Sequence, residues 1–145
     1  MPRIAATVEL PVSAEVAFRY LCDPRHRPEW QSSLRSVEVP ADEEPHLGQT
    51  WRETTSVGVR PHLETTDLAP FRLWGERGRW RGVSATLTLH FTELPAGCRV
   101  RAEGEVTGRG AWSLPATAAG LLASRAIGAD LRRAGRILSQ RTSPG

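Results

Sequence analysis

The sequence predicts an α+β domain in which an antiparallel sheet is followed by one long helix. From Leu34 to about Thr107 the chain consists of short alternating segments separated by turns, as in a run of antiparallel strands. Residues 114–141 then carry apolar residues at helical spacing. Because the strands and the long helix occupy separate parts of the chain, we expect the helix to lie across the concave face of a curved sheet.

The chain begins with a strand and two short helices. Residues 3–10 alternate loosely and contain β-branched residues, which favours a strand. Ser13 is a suitable N-cap for one short helix, and Asp23 is a suitable N-cap for a second. Pro28 lacks a backbone N–H and clashes with the preceding turn, so the second helix is limited to one or two turns ending near Trp30.

Three titratable residues, Asp23, His26 and Glu29, recur at every third position around this second helix. A short helix interrupted by Pro28 does not hold this spacing, and Asp23 already serves as a cap. We therefore interpret the segment as a corner of the fold, in which Trp30 fills space between the short helices and the sheet. The histidines lack metal-ligand spacing and no glycine-rich motif joins a strand to a helix, so we expect neither a metal site nor a cofactor.

Alternation predicts which side of each strand faces the core. The clearest strand covers residues 84–92, with threonines and a histidine on one face and apolar residues on the other. Residues 98–107 alternate in the same way, and residues 48–55 form a central strand. Residues 71–80 contain two glycines and are predicted to form an irregular pair of segments. The apolar face of the clearest strand consists of Ala85, Leu87, Leu89 and Phe91.

The long helix is predicted to have Ser113 as its N-cap and to carry one apolar stripe. Several positions on or beside the stripe are small, among them Ala118, Gly128 and Ala134. Small residues either allow a helix to approach a sheet closely or leave room for a ligand, and both possibilities stay open. The stripe consists of Leu114, Ala118, Leu121, Ile127, Leu131, Ala134 and Leu138.

The composition is that of an ordinary globular protein. A chain of 145 residues, 39% hydrophobic and 24% charged, fits one domain with one core over residues 1–145. No apolar run approaches the length of a membrane span, so we expect a cytoplasmic protein in which Cys22 and Cys98 are free thiols. The 19 basic residues are all arginine and are interleaved with acids. Because nucleic-acid binding needs an uninterrupted basic face, we predict no nucleic-acid partner.

Five segments carry a resemblance to a known family: VELPVSAEVAF at 8–18, DPRHRPEW at 23–30, LGQTW at 47–51, LAPFRL at 68–73 and PAGCRV at 95–100. Together with the long last helix, they resemble the helix-grip superfamily of START and polyketide cyclase/dehydrase proteins, often called SRPBCC. The resemblance covers nearly the whole chain. It implies a helix-grip fold, in which a curved antiparallel sheet wraps around the C-terminal helix and two short helices follow the first strand.

The resemblance also implies a cavity between the sheet and the last helix that accepts apolar ligands. Members of the superfamily bind or transform different molecules and share no invariant catalytic set, so the resemblance assigns no catalytic residue here. The inner faces of the clearest strand and of the last helix are expected to contribute ligand-binding side chains. These are Leu87, Leu89, Phe91, Ala118 and Leu121.

The central strands carry three tryptophans, Trp51, Trp74 and Trp80, which either form an aromatic wall for a flat apolar ligand or belong to the core. By alternation Glu53 shares a strand face with Trp51. If that face is inward, Glu53 enters the cavity; otherwise it pairs with an arginine on the outer face. A carboxylate in an apolar cavity has a raised pKa and can act as a general acid or base.

Glu64 and Arg72 are further candidates for acid/base chemistry on the central strands. The sequence therefore predicts a protein that binds a hydrophobic small molecule and possesses groups for cyclising or dehydrating a polyketide-type substrate. One alternative is a non-catalytic carrier or sensor of a lipid or quinone-type ligand. Another is a protein-interaction module like the co-chaperone branch of the superfamily. The protein is expected to be a monomer or a homodimer.

Overall fold

An antiparallel sheet of seven strands forms the framework of the protein. The computed structural model describes residues 3–40 and 42–142, without the side chains of residues 120, 121 and 142. The strand order across the sheet is β1-β7-β6-β5-β4-β3-β2, so the first strand lies beside the last. The strands are β1 (Arg3–Leu10), β2 (Leu34–Glu38), β3 (Thr50–Thr55), β4 (His62–Ala69), β5 (Leu73–Trp80), β6 (Val83–Leu94) and β7 (Gly97–Gly108).

Two short helices follow β1, and one long helix ends the described chain, as predicted. Ser13 caps the first short helix by accepting a hydrogen bond from the Val16 backbone N–H at 3.2 Å. The last helix begins one residue earlier than expected, because Ser113 continues a preceding 3₁₀ turn, Gly110–Trp112, instead of acting as a cap. None of the described helices has the length and hydropathy required to cross a membrane. The α-helices are α1 (Ala14–Leu21), α2 (Arg27–Trp30) and α3 (Ser113–Thr142).

The segment 71–80 is more regular than its glycines predicted. Strand β5 is continuous and pairs with β6 along its whole length. The irregularity lies instead in its other neighbour, β4, where the register shifts between Thr65 and Asp67. Gly75 packs close to that shift, since a Cβ at this position would stand 2.6 Å from an Asp67 carboxylate oxygen. Gly75 is therefore required because the Asp67 side chain of β4 approaches the β5 backbone closely, and the glycine does not interrupt the strand.

The second half of α3 packs on β1 and β7 through the apolar stripe. Ile127, Leu131, Ala134 and Leu138 are all buried, as predicted. The first half departs from the prediction: Leu114 is 80% exposed and Ala118 is also exposed. Ala118 precedes Ile127 by nine residues, about two and a half helical turns, so it points away from the face that the second half buries.

The segment around Asp23 forms the predicted corner. The Asp23 carboxylate accepts a hydrogen bond from the Arg25 backbone N–H at 3.0 Å, in a 3₁₀ turn that leads into α2. The His26 ring stacks on Tyr20, and the Tyr20 hydroxyl donates to Glu29 at 2.9 Å. Asp23 is therefore held by Arg25, and His26 and Glu29 are both held by Tyr20. Trp30 is buried between the short helices and the sheet.

Both cysteines, Cys22 and Cys98, are free and buried, as predicted. Cys98 lies at the start of β7 opposite Leu10 of β1, and Cys22 follows the end of α1. Burial raises the pKa of the Cys98 thiol to about 11 and that of the Cys22 thiol well above its usual value. The two thiols therefore behave as small apolar side chains of the core.

Candidate functional site

A cavity of about 510 Å³ lies between the sheet and residues 119–130 of α3. Strands β3 to β7 form one wall, and the first part of α3 forms the other. Arg79 and Leu122 are exposed residues of the lining, so the cavity opens to solvent beside them. Most of the lining is apolar and includes Ile4, Leu63, Val83, Leu87, Val106 and Ile127.

The inner end of the cavity contains a buried ionic cluster. Arg27, from the start of α2, places Nε 2.6 Å from Oε2 of Glu53 on β3. Its Nη1 and Nη2 atoms lie 3.0 and 3.1 Å from the two carboxylate oxygens of Glu76 on β5. The three side chains are only 2–6% exposed, and all three line the cavity. Such short contacts are needed to offset the cost of removing charges from water.

Three tryptophans surround the Arg27 guanidinium. Its central carbon lies 5.8 Å from the ring centroids of Trp30 and Trp51 and 5.9 Å from that of Trp74. Each ring face offers a cation–π contact. The Trp51 indole N–H also donates to Glu53 Oε2 at 3.0 Å, which fixes the carboxylate that Arg27 contacts. The cluster is thereby held by both charge and aromatic packing.

The cluster contains two carboxylates and one guanidinium, so one negative charge is not balanced. Burial raises the pKa of Glu76 to about 7, and although Arg27 opposes this shift, the charge of Glu53 reinforces it. For Arg27, burial alone would lower the pKa, but the two carboxylates outweigh it and the guanidinium stays charged. Burial within this cluster therefore brings the pKa of Glu76 close to neutral pH.

Glu53, Trp80 and Leu87 are the predicted site residues that line the cavity. Trp51 and Glu53 share the inner face of β3, as alternation indicated, and Glu53 finds its arginine inside the fold instead of on the outer face. Trp80 contacts Trp112 edge to face, with 5.3 Å between ring centroids, near the start of α3. The inward face of β3 thus decides between the two alternatives that the sequence left open for Glu53.

Four predicted ligand-binding residues, Trp51, Trp74, Leu89 and Phe91, are buried in the core but are not part of the described cavity lining. Trp51 and Trp74 stack with a centroid distance of 6.3 Å, and Phe91 packs on Phe18 of α1 at 5.3 Å. The short helices therefore fill this end of the interior. Leu89 and Phe91 face inward as predicted but do not belong to the described cavity lining, because strand alternation says nothing about which end of the interior is filled.

Glu64 and Arg72 are exposed and do not reach the cavity, contrary to expectation. Leu63 and Thr65 occupy the inner face of β4, so Glu64 must point outward, and Arg72 lies in the turn before β5. Ala118 is exposed and is not among the described lining residues either. The side chain of Leu121 lies outside the described residues.

Three residues that line the cavity were not predicted as site residues from the sequence: Arg27, Glu76 and Asp130. Glu76 follows Trp74 by two residues and so shares its strand face, a signal that the assumed irregularity of this segment concealed. Asp130 lies beside Leu131 on α3 and accepts a hydrogen bond from the Ser32 backbone N–H at 3.2 Å. Arg27 had no recognisable signal, because nothing in a short proline-containing segment marks one of its arginines as buried.

A seven-stranded antiparallel sheet that encloses an apolar cavity with one long helix defines a protein of the helix-grip class. The chain belongs to the family described as polyketide cyclase/dehydrase and lipid transport, whose model matches residues 1–141. The resemblance inferred from the sequence is thus confirmed. Among proteins of curated function, none matches the sequence significantly.

Solved structures show the same fold at low sequence identity. Protein MLL2253 from Mesorhizobium loti superposes with a TM-score of 0.75 at 17% identity, covering 98% of this chain and 99% of that one. The Zhui aromatase/cyclase from Streptomyces sp. R1128 gives a TM-score of 0.73 at 17% identity, covering 97% and 95%. The di-domain ARO/CYC protein StfQ from the steffimycin biosynthetic pathway gives 0.75 at 16% identity, and the match covers 97% of this chain and 51% of StfQ. The predicted helix-grip fold is confirmed.

The first prediction concerns Arg27 as the counterion of two buried carboxylates. Replacing Arg27 with Met leaves Glu53 and Glu76 without a cation, and we expect a loss of roughly 3–5 kcal/mol in the free energy of unfolding. Urea denaturation at neutral pH measures this loss. The matched control is Arg99→Met, because Arg99 pairs with Glu9 on the surface and its loss costs about 1 kcal/mol or less. Equal effects of the two substitutions would contradict the role of Arg27.

The second prediction follows from the pKa of Glu76. Between pH 4.5 and about 7 the native carboxyl holds its proton while the unfolded one has lost it, so the stability that this group contributes at low pH declines as the pH rises. Glu76→Gln removes this decline. We expect the stability of the variant relative to the wild type to increase by on the order of 3 kcal/mol from pH 4.5 to pH 8. Parallel stability curves over this pH range would show that Glu76 titrates normally.

Proposed function

We propose that this protein binds an apolar small molecule of polyketide type in the cavity and that Glu76 transfers protons during its cyclisation or dehydration. The observation that carries the proposal is the combination of an apolar wall with a buried carboxylate of near-neutral pKa at the inner end. Family membership and the aromatase/cyclase neighbours support the same class of ligand. Glu64 and Arg72 are exposed and have no part in the proposal.

The cavity has a suitable size and surface for such a ligand. A volume of about 510 Å³ lies in the usual range of small-molecule sites, roughly 300–1,000 Å³. Leu87 and Trp80 would contact the body of the ligand from the sheet, and Ala123 and Ile127 would contact it from α3. Ala123 and Ala126 of α3 line the cavity. Gly128 and Ala134 are not among the described lining residues, and Gly128 instead lies where α3 approaches Ala6 of β1 closely.

Proton transfer by Glu76 would proceed in two directions. The carboxylate would remove a proton from a carbon that lies between two ketone groups. The resulting enolate carbon would then attack a third, more distant ketone of the same molecule. The protonated Glu76 would then return the proton to the new alkoxide oxygen, which becomes a hydroxyl and can leave as water in a later step. A pKa near the working pH suits both directions. The cavity walls would hold the reacting carbons together.

Glu53 and Arg27 would act as positioning residues in this scheme. Arg27 contacts Glu53 through Nε and Glu76 through both Nη atoms, so it orients the Glu76 carboxylate from behind. Trp51 holds Glu53 through its indole N–H. In this arrangement Glu53 keeps Arg27 in place and Glu76 exchanges the proton.

A non-catalytic carrier is the second candidate function. The observation that favours it is that both carboxylates at the inner end contact Arg27, an arrangement that also serves to connect α2 with the sheet. The family description includes lipid transport as well as cyclisation. The protein-interaction hypothesis predicted a filled core, and a cavity of about 510 Å³ counts against it.

Ligand binding is tested with Nile red, a neutral dye whose fluorescence rises in apolar surroundings. We expect saturable binding to the wild type and at least tenfold weaker binding to Ala126→Trp, because Ala126 lines the cavity and a Trp there would occupy it. The matched control is Ala129→Trp, since Ala129 is exposed on the same helix but is not among the described lining residues. Equal binding by both variants would place the dye elsewhere and contradict the proposal.

Proton transfer is tested without a natural substrate by following deuterium exchange at the central carbon of benzoylacetone, a β-diketone, by NMR. We expect the wild type to accelerate exchange and Glu76→Gln to reduce the acceleration by on the order of 100-fold, because the amide cannot act as a base. Glu105→Gln on the outer face of β7 is the control and should keep the full rate. Binding of the dye without any accelerated exchange would favour the carrier.

A further inference from the structure

The inner end of the cavity contains hydrogen-bond acceptors that have no donor. Gln31 Oε1 is buried and has no hydrogen-bond partner. Glu76 Oε2 is also buried and lies 3.0 Å from Arg27 Nη1, but neither of these two atoms makes a hydrogen bond with a described residue, and Arg27 Nε makes none either. Gln31 and Glu76 both line the cavity. Because buried acceptors are normally paired in native proteins, these two indicate a place where a bound molecule supplies the donor.

The same end of the cavity has no cation available for an anionic ligand. The nitrogen atoms Nε, Nη1 and Nη2 of Arg27 all face carboxylates of Glu53 or Glu76. A third buried carboxylate, Asp130 of α3, also lines the cavity. Arg79, the other arginine of the described lining, is exposed and belongs to the opening. A ligand carboxylate at the inner end would lose its hydration and meet like charges.

We propose that the cavity selects apolar molecules whose innermost group is a hydroxyl, a phenol or an enol, and excludes those that end in a carboxylate. The hydroxyl would donate to Glu76 Oε2 or to Gln31 Oε1, and the apolar body would extend towards Leu122 at the opening. Fatty acids would therefore be poor ligands, whereas neutral phenolic molecules would bind. The inference rests on the proposed ligand-binding function and specifies its substrate class.

The test compares three molecules with the same apolar body: 2-naphthol, 2-methoxynaphthalene and 2-naphthoate. Each competes with Nile red at pH 8, where Glu76 is largely ionised. We expect 2-naphthol to bind on the order of tenfold more tightly than the methyl ether, which cannot donate, because a hydrogen bond to a charged acceptor is lost. The naphthoate should bind at least 100-fold more weakly than the naphthol, since it brings a second charge to buried carboxylates. Equal affinities for the naphthol and either analogue would overturn the inference.

Two variants separate the contributions of charge and hydrogen bonding. Glu76→Gln keeps the shape and an acceptor oxygen but removes the charge. It should improve naphthoate binding roughly tenfold and weaken naphthol binding by a few-fold, since a hydrogen bond to a neutral acceptor is weaker. Gln31→Leu does not touch the ionic cluster and should reduce the advantage of the naphthol over its methyl ether. Glu105→Gln, on the outer face of the sheet, should leave all three affinities unchanged. Naphthoate affinity that stays the same in Glu76→Gln would contradict the electrostatic part of the inference.

The design also separates failure of this inference from failure of the proposed function. Nile red has neither a charge nor a hydrogen-bond donor, so its binding does not depend on the acceptors at the inner end. If Nile red binds in the cavity and the three naphthalenes compete equally, only the selectivity is wrong. If Ala126→Trp and Ala129→Trp bind the dye alike, the cavity is not the binding site and both proposals fail.

Discussion

The ionic contact between Arg27 and the carboxylates of Glu53 and Glu76 is the interaction on which the interior of the protein depends. Arg27 belongs to a helix of only four residues, α2, which has little stability of its own. The two carboxylates belong to β3 and β5, which lie on either side of β4 in the sheet. One guanidinium therefore fixes the short helix against two strands, β3 and β5. Because all three charges are buried, removing Arg27 leaves two carboxylates uncompensated.

The cluster also divides the interior into a filled part and an open part. On the side of the short helices, aromatic side chains such as Trp30 and Phe18 pack against the sheet. On the side of α3, alanines face the sheet and the cavity remains. The charged groups lie at the boundary between the two. A ligand that enters beside Leu122 and Arg79 would pass the apolar lining before it reaches the buried charged groups.

The excess of acid over base in the cluster connects stability with function. A buried carboxylate that is not fully neutralised is costly to the fold, and the cost is lowest when Glu76 is protonated. The same imbalance gives Glu76 a proton affinity suited to exchange at neutral pH, and it makes the inner end unfavourable for anions. Stability, the proposed proton transfer and the proposed ligand selectivity therefore all depend on one arrangement of charges.

Much of the fold could be predicted from the order of elements, since alternation in β6 and helical spacing in the second half of α3 report directly on which side chains are buried. The site was only partly predictable. Spacing placed Glu53 on the same strand face as Trp51 but left open whether that face is inward. Glu64 points outward because Leu63 and Thr65 occupy the inner face of β4, and Arg72 lies in the turn before β5. A strand pattern specifies two faces without specifying which face meets a cavity.

The sequence by itself determined the α+β architecture, the corner around Asp23 and the family, because capping, alternation and local segments are properties of neighbouring residues. Only the tertiary structure decided that Arg27 lies between Glu53 and Glu76, which are 26 and 49 residues away along the chain. It also decided that Trp51 and Trp74 belong to the filled end while Trp80 lines the cavity. Ion pairing and cavity formation depend on distances between remote segments, and these distances exist only once the chain has folded.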